Sequence, residues 1–183
     1  MAEERSHRLF FAFWPSPELQ ADLARAVRKV ARTCGGRPIP PENFHVTVAF
    51  LGSVPGARLP ELEPIAARAA MSGQPFSLTL DRLEYWHKAQ LLCATASATP
   101  PVAITLATAL KRELTDAGFT PDLKPFRAHV TLARKVSRLT RQLDVHSVVW
   151  TFDALSLIES ETRPEGSLYS VLKSWTLCGP RAS

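Results

Sequence analysis

The sequence predicts an α+β fold with mostly antiparallel sheets, and three observations point there. Alternating apolar and polar segments of strand length recur along the chain, interspersed with three helical patterns. Few of the connections are clean strand–helix–strand crossovers, so a doubly wound parallel sheet does not fit. A five-residue pattern, His-Val-Thr-(Val/Leu)-Ala, occurs twice, at 45–49 and at 129–133. The two histidines lie 84 positions apart, nearly half of the 183-residue chain, which suggests an internal duplication with one supersecondary unit in each half.

Each element has a local reason. Residues 8–13, Arg-Leu-Phe-Phe-Ala-Phe, read as a strand broken by Pro15 and Pro17. Ser16 then suits a helix N-cap with Pro17 in the first helical position. Leu19, Leu23, Val27 and Val30 follow at helical spacing, and Gly35-Gly36 end the helix. Pro38, Pro40 and Pro41 hold an extended approach to a strand over 44–51, closed by Gly52. A second helix fits 59–70, with Leu62, Ile65, Ala66 and Ala69 on one face. Residues 76–83 and 91–96 read as two strands joined like a hairpin through 86–90. Pro101 opens a helix to about Ala117, with Gly118 as its stop. Strands are expected at 128–133, about 148–160 and about 168–178.

Composition narrows the class. A hydrophobic fraction of 45% is ordinary for a folded protein, and 183 residues suffice for a single domain over 1–183 made of two small lobes. No apolar run approaches the ~20 residues of a membrane-spanning helix. Residues 9–14 are too short for a secretory leader, so a cytoplasmic protein with no membrane association is expected. Cys34, Cys93 and Cys178 are odd in number and scattered; reduced and mostly buried thiols are expected. The formal charge of +5, from 22 Lys+Arg against 17 Asp+Glu, suits an anionic partner. Lys124, Arg127, Arg134, Lys135, Arg138 and Arg141 cluster around the second motif.

Side chains on a strand alternate faces, so His45, Thr47 and Ala49 share one face while Val46, Val48 and Phe50 share the other. His129, Thr131 and Ala133 repeat this, and the small alanine leaves room for a ligand. Two imidazoles and two hydroxyls converge if these faces meet across a cleft. That set suits phosphodiester chemistry: one imidazole takes a proton from water while the other protonates the departing oxygen. Histidine, with an ordinary pKa of about 6.5, supplies both forms near neutrality. The hydroxyls donate to non-bridging phosphate oxygens. A shared metal site is the weaker reading, because no carboxylate or second histidine lies beside either motif and threonine is a poor zinc ligand. His7, His87 and His146 lack a partnering pattern and read as non-catalytic.

These residues resemble the 2H phosphoesterase superfamily, in its bacterial LigT/ThpR branch of RNA 2′,3′-cyclic phosphodiesterases, also called 2′-5′ RNA ligases. The resemblance runs through residues 8–13, Gly36-Arg37-Pro38, 42–52, 125–134, and Ser160, Gly166, Tyr169, Leu172 and Trp175. It implies a bilobal duplicated fold, with two mostly antiparallel sheets around a central groove and helices outside. It implies hydrolysis of RNA 2′,3′-cyclic phosphodiester ends to 2′-phosphomonoesters, with 2′-5′ ligation as the reverse reaction. His45 would be the proton donor and His129 the proton acceptor. Thr47, Thr131, Arg134 and Tyr169 would bind substrate, with no metal and no cofactor. Ala128 stands where the branch has proline before the second histidine. Arg134 faces away from His129 by strict alternation and reaches the cleft only if the strand ends or bends there.

The expected partner is therefore RNA with a 2′,3′-cyclic phosphate end, or a nucleotide, bound by a monomer. Phe11, Phe126 and Tyr169 are candidates for a base-stacking platform. Small cyclic nucleotides or 2′-5′-linked oligonucleotides are alternative substrates for the same chemistry. A non-catalytic module that binds RNA or nucleotides is the rival from another class, although a pure binder has no need of two acid–base groups.

Overall fold

The computed structural model describes residues 5–137, 146–164 and 166–179. In chain order the elements are β1 (Ser6–Phe13), α1 (Pro17–Thr33), β2 (Arg37–Pro38), a 3-10 turn (Pro41–Asn43) and β3 (Val46–Pro55). A second 3-10 turn (Gly56–Arg58) leads into α2 (Leu59–Ser72), then β4 (Phe76–Leu80), β5 (Arg82–Trp86) and β6 (Leu91–Thr95). The chain continues through α3 (Pro101–Asp116), β7 (His129–Arg134), β8 (Val148–Phe152), β9 (Ala154–Arg163) and β10 (Gly166–Thr176). Two four-stranded sheets, ordered β10-β9-β1-β3 and β2-β7-β6-β5, each contain one motif strand, and β4 pairs with β8 in a third, two-stranded sheet. Every described pairing is antiparallel. This is the α+β architecture expected of the sequence.

Several expected boundaries move. The 76–83 segment is two strands, broken at Asp81: β4 joins β8, while β5 joins β6 in another sheet. Asp81 turns the chain by accepting from the Ser97 backbone N–H at 2.8 Å and the Ser97 hydroxyl at 2.6 Å. The 148–160 segment likewise splits at Asp153 into β8 and β9, in different sheets. Gly52 does not close its strand; it lies inside β3 at φ 73°. The three-proline approach contributes β2, which crosses to the second half of the chain and pairs with Ala133 and Arg134.

The two glycines after α1 do different work. Gly35, at φ 65°, makes the left-handed turn that ends the helix. Gly36 lets β2 approach β7: a Cβ there would lie 2.7 Å from the Arg134 carbonyl oxygen and 2.8 Å from a Val136 methyl. At the other end of α1, the Ser16 hydroxyl caps the Leu19 N–H. Gln20 is buried in α1 and donates to the carbonyls of Glu42 and Phe44, at 3.0 and 3.1 Å. The helix is thereby tied to the segment that delivers His45.

One apolar core fills the molecule, with Phe11, Phe13, Leu23, Val46, Leu62, Leu110, Val130, Leu132 and Trp150 among its members. Helices α2 and α3 pack together beside the first sheet. A smaller cluster of Phe10, Ala12 and Ile158, flanked by Trp14, Phe50 and Tyr169, lies on that sheet's opposite face. Cys34 and Cys93 are buried as expected, but Cys178 is exposed, because it follows the end of β10 rather than lying within it.

Replacing Gly36 by Ala forces a Cβ into backbone. We expect a loss of about 1–3 kcal/mol, read as a lowered midpoint in denaturant unfolding, whereas Gly166→Ala meets no atom within 4 Å and costs only the strain of its φ of 144°.

Candidate active site

Both motif strands break their alternation at the same place. In the β1–β3 ladder Ala12 faces Thr47 while Phe11 faces Ala49, which leaves Val48 as an extra residue. In the β6–β7 ladder Cys93 faces Thr131 while Leu92 faces Ala133, which leaves Leu132 extra. Such a bulge moves the side chains that follow it to the other face, in β3 until a second extra residue, Leu51, falls between Phe50 and Gly52. Ala49 and Ala133 consequently sit in the core at 1% and 0% exposure, not beside the ligand as strict alternation implies. Phe50 and Arg134 come round to the face that carries the histidines and threonines, and both line the cleft. The bend that Arg134 requires is this bulge.

The cleft lies where β3 and β7 approach each other. His45, Thr47, His129, Thr131, Arg134 and Tyr169 all line it, joined by Arg8, Phe10, Ile39, Asn43, Phe50, Ser160, Thr162 and Ser167. Arg8, Asn43, Phe50 and Ser160 belong to the stretches that carry the family resemblance, but nothing in the sequence alone assigns them to the cleft. Phe11 is fully buried in the core and is no base platform. Phe126 packs edge-on against core Phe13, at 6.3 Å between ring centroids, and does not line the cleft. Of the basic cluster, Arg134 lines the cleft, Arg127 is paired with Glu84, and Lys124 and Lys135 are exposed. Arg138 and Arg141 lie outside the described residues. His7 binds Glu159 at 2.6 Å, and His87 and His146 are exposed away from the cleft.

Each catalytic candidate is oriented by the same local bond. The Nδ1 of His45 donates to the Asn43 carbonyl at 2.7 Å, and the Nδ1 of His129 donates to the Arg127 carbonyl at 2.8 Å. A carbonyl only accepts, so Nδ1 carries the proton and Nε2 is left for chemistry. The Nε2 of His45 is 3.1 Å from the Thr47 hydroxyl.

The surroundings of the two imidazoles differ. His45 stacks on Trp14 (5.2 Å between centroids, 10° between planes) and touches Phe10 at 5.0 Å and Tyr169 edge-on at 5.3 Å. Burial lowers its pKa to about 4, against the opposing pull of the Asn43 carbonyl, and the nearby His129 and Arg134 lower it further. His129 rests against Trp86 at 4.5 Å, beside the Arg127–Glu84 ion pair of 2.6 Å. Burial also lowers its pKa, opposed by the Arg127 carbonyl; the Arg127 charge adds to the lowering and the Glu84 carboxylate opposes it. Glu84 itself is pushed up by burial, but bonds from Trp86 and Thr95 and the Arg127 guanidinium win and hold it below the ordinary carboxylate range. The Cys93 thiol beneath Thr131 is pushed up to about 12 by burial, so it stays protonated and inert.

A cleft with two imidazoles, threonine hydroxyls and arginines, lined by no described carboxylate, is built for an anion. Among the described residues no three His, Cys, Asp or Glu side chains gather as metal ligands. No described helix is long and apolar enough to cross a membrane. Comparison with known proteins agrees with the class that this site defines. The chain belongs to the LigT like Phosphoesterase family, whose model matches residues 13–90 and 95–169, one motif in each segment. It is 31% identical over 180 residues to the RNA 2′,3′-cyclic phosphodiesterase of Thermus thermophilus, spanning 94% of this chain and 91% of that protein. It is 28% identical over 172 residues to the protein of that name from Escherichia coli, spanning 93% and 96%. The crystal structure of E. coli LigT complexed with 3′-AMP superposes with a TM-score of 0.87 at 27% identity, over 96% of this chain and 100% of that one.

The depressed histidine pKa sets a pH dependence. Unfolded, His45 takes up its proton near 6.5; folded, only near 4. The unfolded state therefore binds more protons between these values, and stability falls as pH drops through that window, levelling off below about 4. Urea unfolding from pH 7 to pH 4 should show this slope in the wild type and a shallower one in His45→Gln.

Proposed function

We propose that this protein hydrolyses RNA 2′,3′-cyclic phosphodiester ends to 2′-phosphomonoesters, with its two lobes acting as one domain and each supplying one histidine and one threonine. The observation that carries this reading is the paired orientation of His45 and His129, each with Nδ1 tied to the carbonyl two residues before it and Nε2 left to accept or give a proton, in a common cleft lined by no described carboxylate. The curated relatives are RNA 2′,3′-cyclic phosphodiesterases, and E. coli LigT has been crystallised with a nucleotide, which supports a nucleotide or RNA partner.

In the proposed reaction a water oxygen attacks the phosphorus and passes its proton to His129 Nε2. The P–O3′ bond breaks, and the ribose O3′ takes a proton from His45 Nε2. One proton enters the enzyme and one leaves, so the chain carries no net charge change over the step. The assignment of donor and acceptor follows the family pattern. It also agrees with the environment of His45: an imidazole enclosed by Trp14, Phe10 and Tyr169 is a strong acid once protonated. An anionic substrate favours that protonated form, because a phosphate beside the imidazole opposes the lowering that burial causes.

Thr47, Thr131 and Arg134 would hold the non-bridging oxygens, where charge must be stabilised through the transition state. Tyr169, edge-on to His45, would fix that ring and border the sugar. No metal enters this scheme; two imidazoles supply the proton transfers and the arginine and hydroxyls supply the electrostatics. His45→Ala and His129→Ala should each lower kcat/KM on a 2′,3′-cyclic mononucleotide by about 10²–10⁴-fold, in protein that circular dichroism shows to be folded at the assay temperature, and EDTA should leave the wild-type rate unaltered. Full activity in either variant overturns the two-histidine scheme, and loss in EDTA overturns its independence from metal.

A further inference from the structure

We propose that Arg8 forms a second phosphate subsite, which binds the phosphodiester one nucleotide upstream of the cyclic end. This deepens the RNA-end reading above and rests on it. The starting point is the unequal pair Phe50 and Arg134. The two occupy the same offset after the two threonines and reach the cleft through equivalent bulges. The second motif thus brings its own cation, whereas the first brings a phenyl ring. Arg8, from the neighbouring strand β1, lies over that ring, 4.9 Å from its centroid. The cleft therefore carries a guanidinium on each side, Arg134 directly and Arg8 on the Phe50 ring.

Strand geometry sets Arg8 apart from the reacting centre. On β1, Phe10 packs against His45, and Arg8 lies two residues further along the same face, a rise of about 7 Å. The hydroxyls of Ser160, Thr162 and Ser167 line the cleft with it. Alternation along β9 sends the intervening carboxylates to the opposite face, where Glu159 binds His7 and Glu161 binds Arg163. Among the described residues no carboxylate pairs with Arg8. An arginine with no counter-ion among the described residues, in a hydroxyl-lined arm and stacked on an aromatic ring, is the chemistry that recognises a phosphodiester. The same arrangement has no role toward a mononucleotide, which has no upstream phosphate.

The test compares a 2′,3′-cyclic mononucleotide with a dinucleotide that ends in the same cyclic phosphate. Wild-type KM should be lower for the dinucleotide and should rise with salt. Arg8→Met, whose thioether chain keeps the packing on Phe50 but not the charge, should raise the dinucleotide KM by about tenfold and by clearly more than the mononucleotide KM, with kcat little altered. Arg8→Lys should recover part of the loss. Equal KM shifts for both substrates in Arg8→Met, or no shift for either, overturn the subsite. Restoration of wild-type dinucleotide KM in Arg8→Met, with loss confined to Arg8→Ala, overturns it too, since packing alone would then account for Arg8. A wild-type protein active on neither substrate overturns the RNA-end reading itself, a result distinct from the other three.

Discussion

A strand alternates its faces, yet this site needs the first, third and sixth residues of one strand on the same side. An extra residue just after the threonine of each motif strand, Val48 in one and Leu132 in the other, reconciles the two. It buries two successive side chains, Val48 with Ala49 and Leu132 with Ala133, and brings round the residue after them. Without it Arg134 would enter the core beside Val130, where an unpaired guanidinium is not tolerated. The core holds this irregularity in place, since Leu132 and Ala133 are both 0% exposed and have no room to slip. The arms that press on it are backbone: β2 crosses from the first half to pair with Ala133 and Arg134, and Ile39 donates to the Leu132 carbonyl at 2.8 Å.

Orientation is the second layer. Each imidazole is tied to its own strand through the carbonyl two residues before it, so the side chain is fixed where the chain enters the strand. Gln20 secures the carbonyls on either side of Asn43, and the Asn43 amide reaches the Ser167 carbonyl at 3.2 Å. Around these fixed rings the two lobes build different surroundings. Trp14, Phe10 and Tyr169 give His45 a dry enclosure; Trp86, Arg127 and Glu84 give His129 a polar one. The two motifs share one local geometry, and the side chains around them separate their electrostatics.

Much of this was readable in the chain. The repeated motif, its period of two, the Ser16–Pro17 helix start and the Gly118 helix stop are local signals, and local signals survive folding. Lost were features decided by a partner strand. A bulge exists because one strand has a residue more than its neighbour, and nothing in His129–Arg134 alone reveals the count on β6. The breaks at Asp81 and Asp153 separate strands by sheet, which apolar alternation across 76–86 and 148–160 does not disclose. The contacts of Gln20 with Glu42, of Glu84 with Arg127 and of Arg8 with Phe50 bridge 22 or more residues and carry no motif. Phe50 held the one available clue: it stands at the same offset as Arg134, and strict alternation assigned both to the wrong face.

The convergence of the two histidines on one anion can be measured directly by long-range ¹⁵N–¹H NMR of the imidazole nitrogens at pH 7, with inorganic phosphate added stepwise. Both His45 and His129 should begin as neutral Nδ1–H tautomers. Both Nε2 signals should then move toward the protonated form, in a single saturable step with one shared Kd. Movement of only one histidine, separate saturation of the two, or an Nε2–H tautomer at the start would contradict a common site.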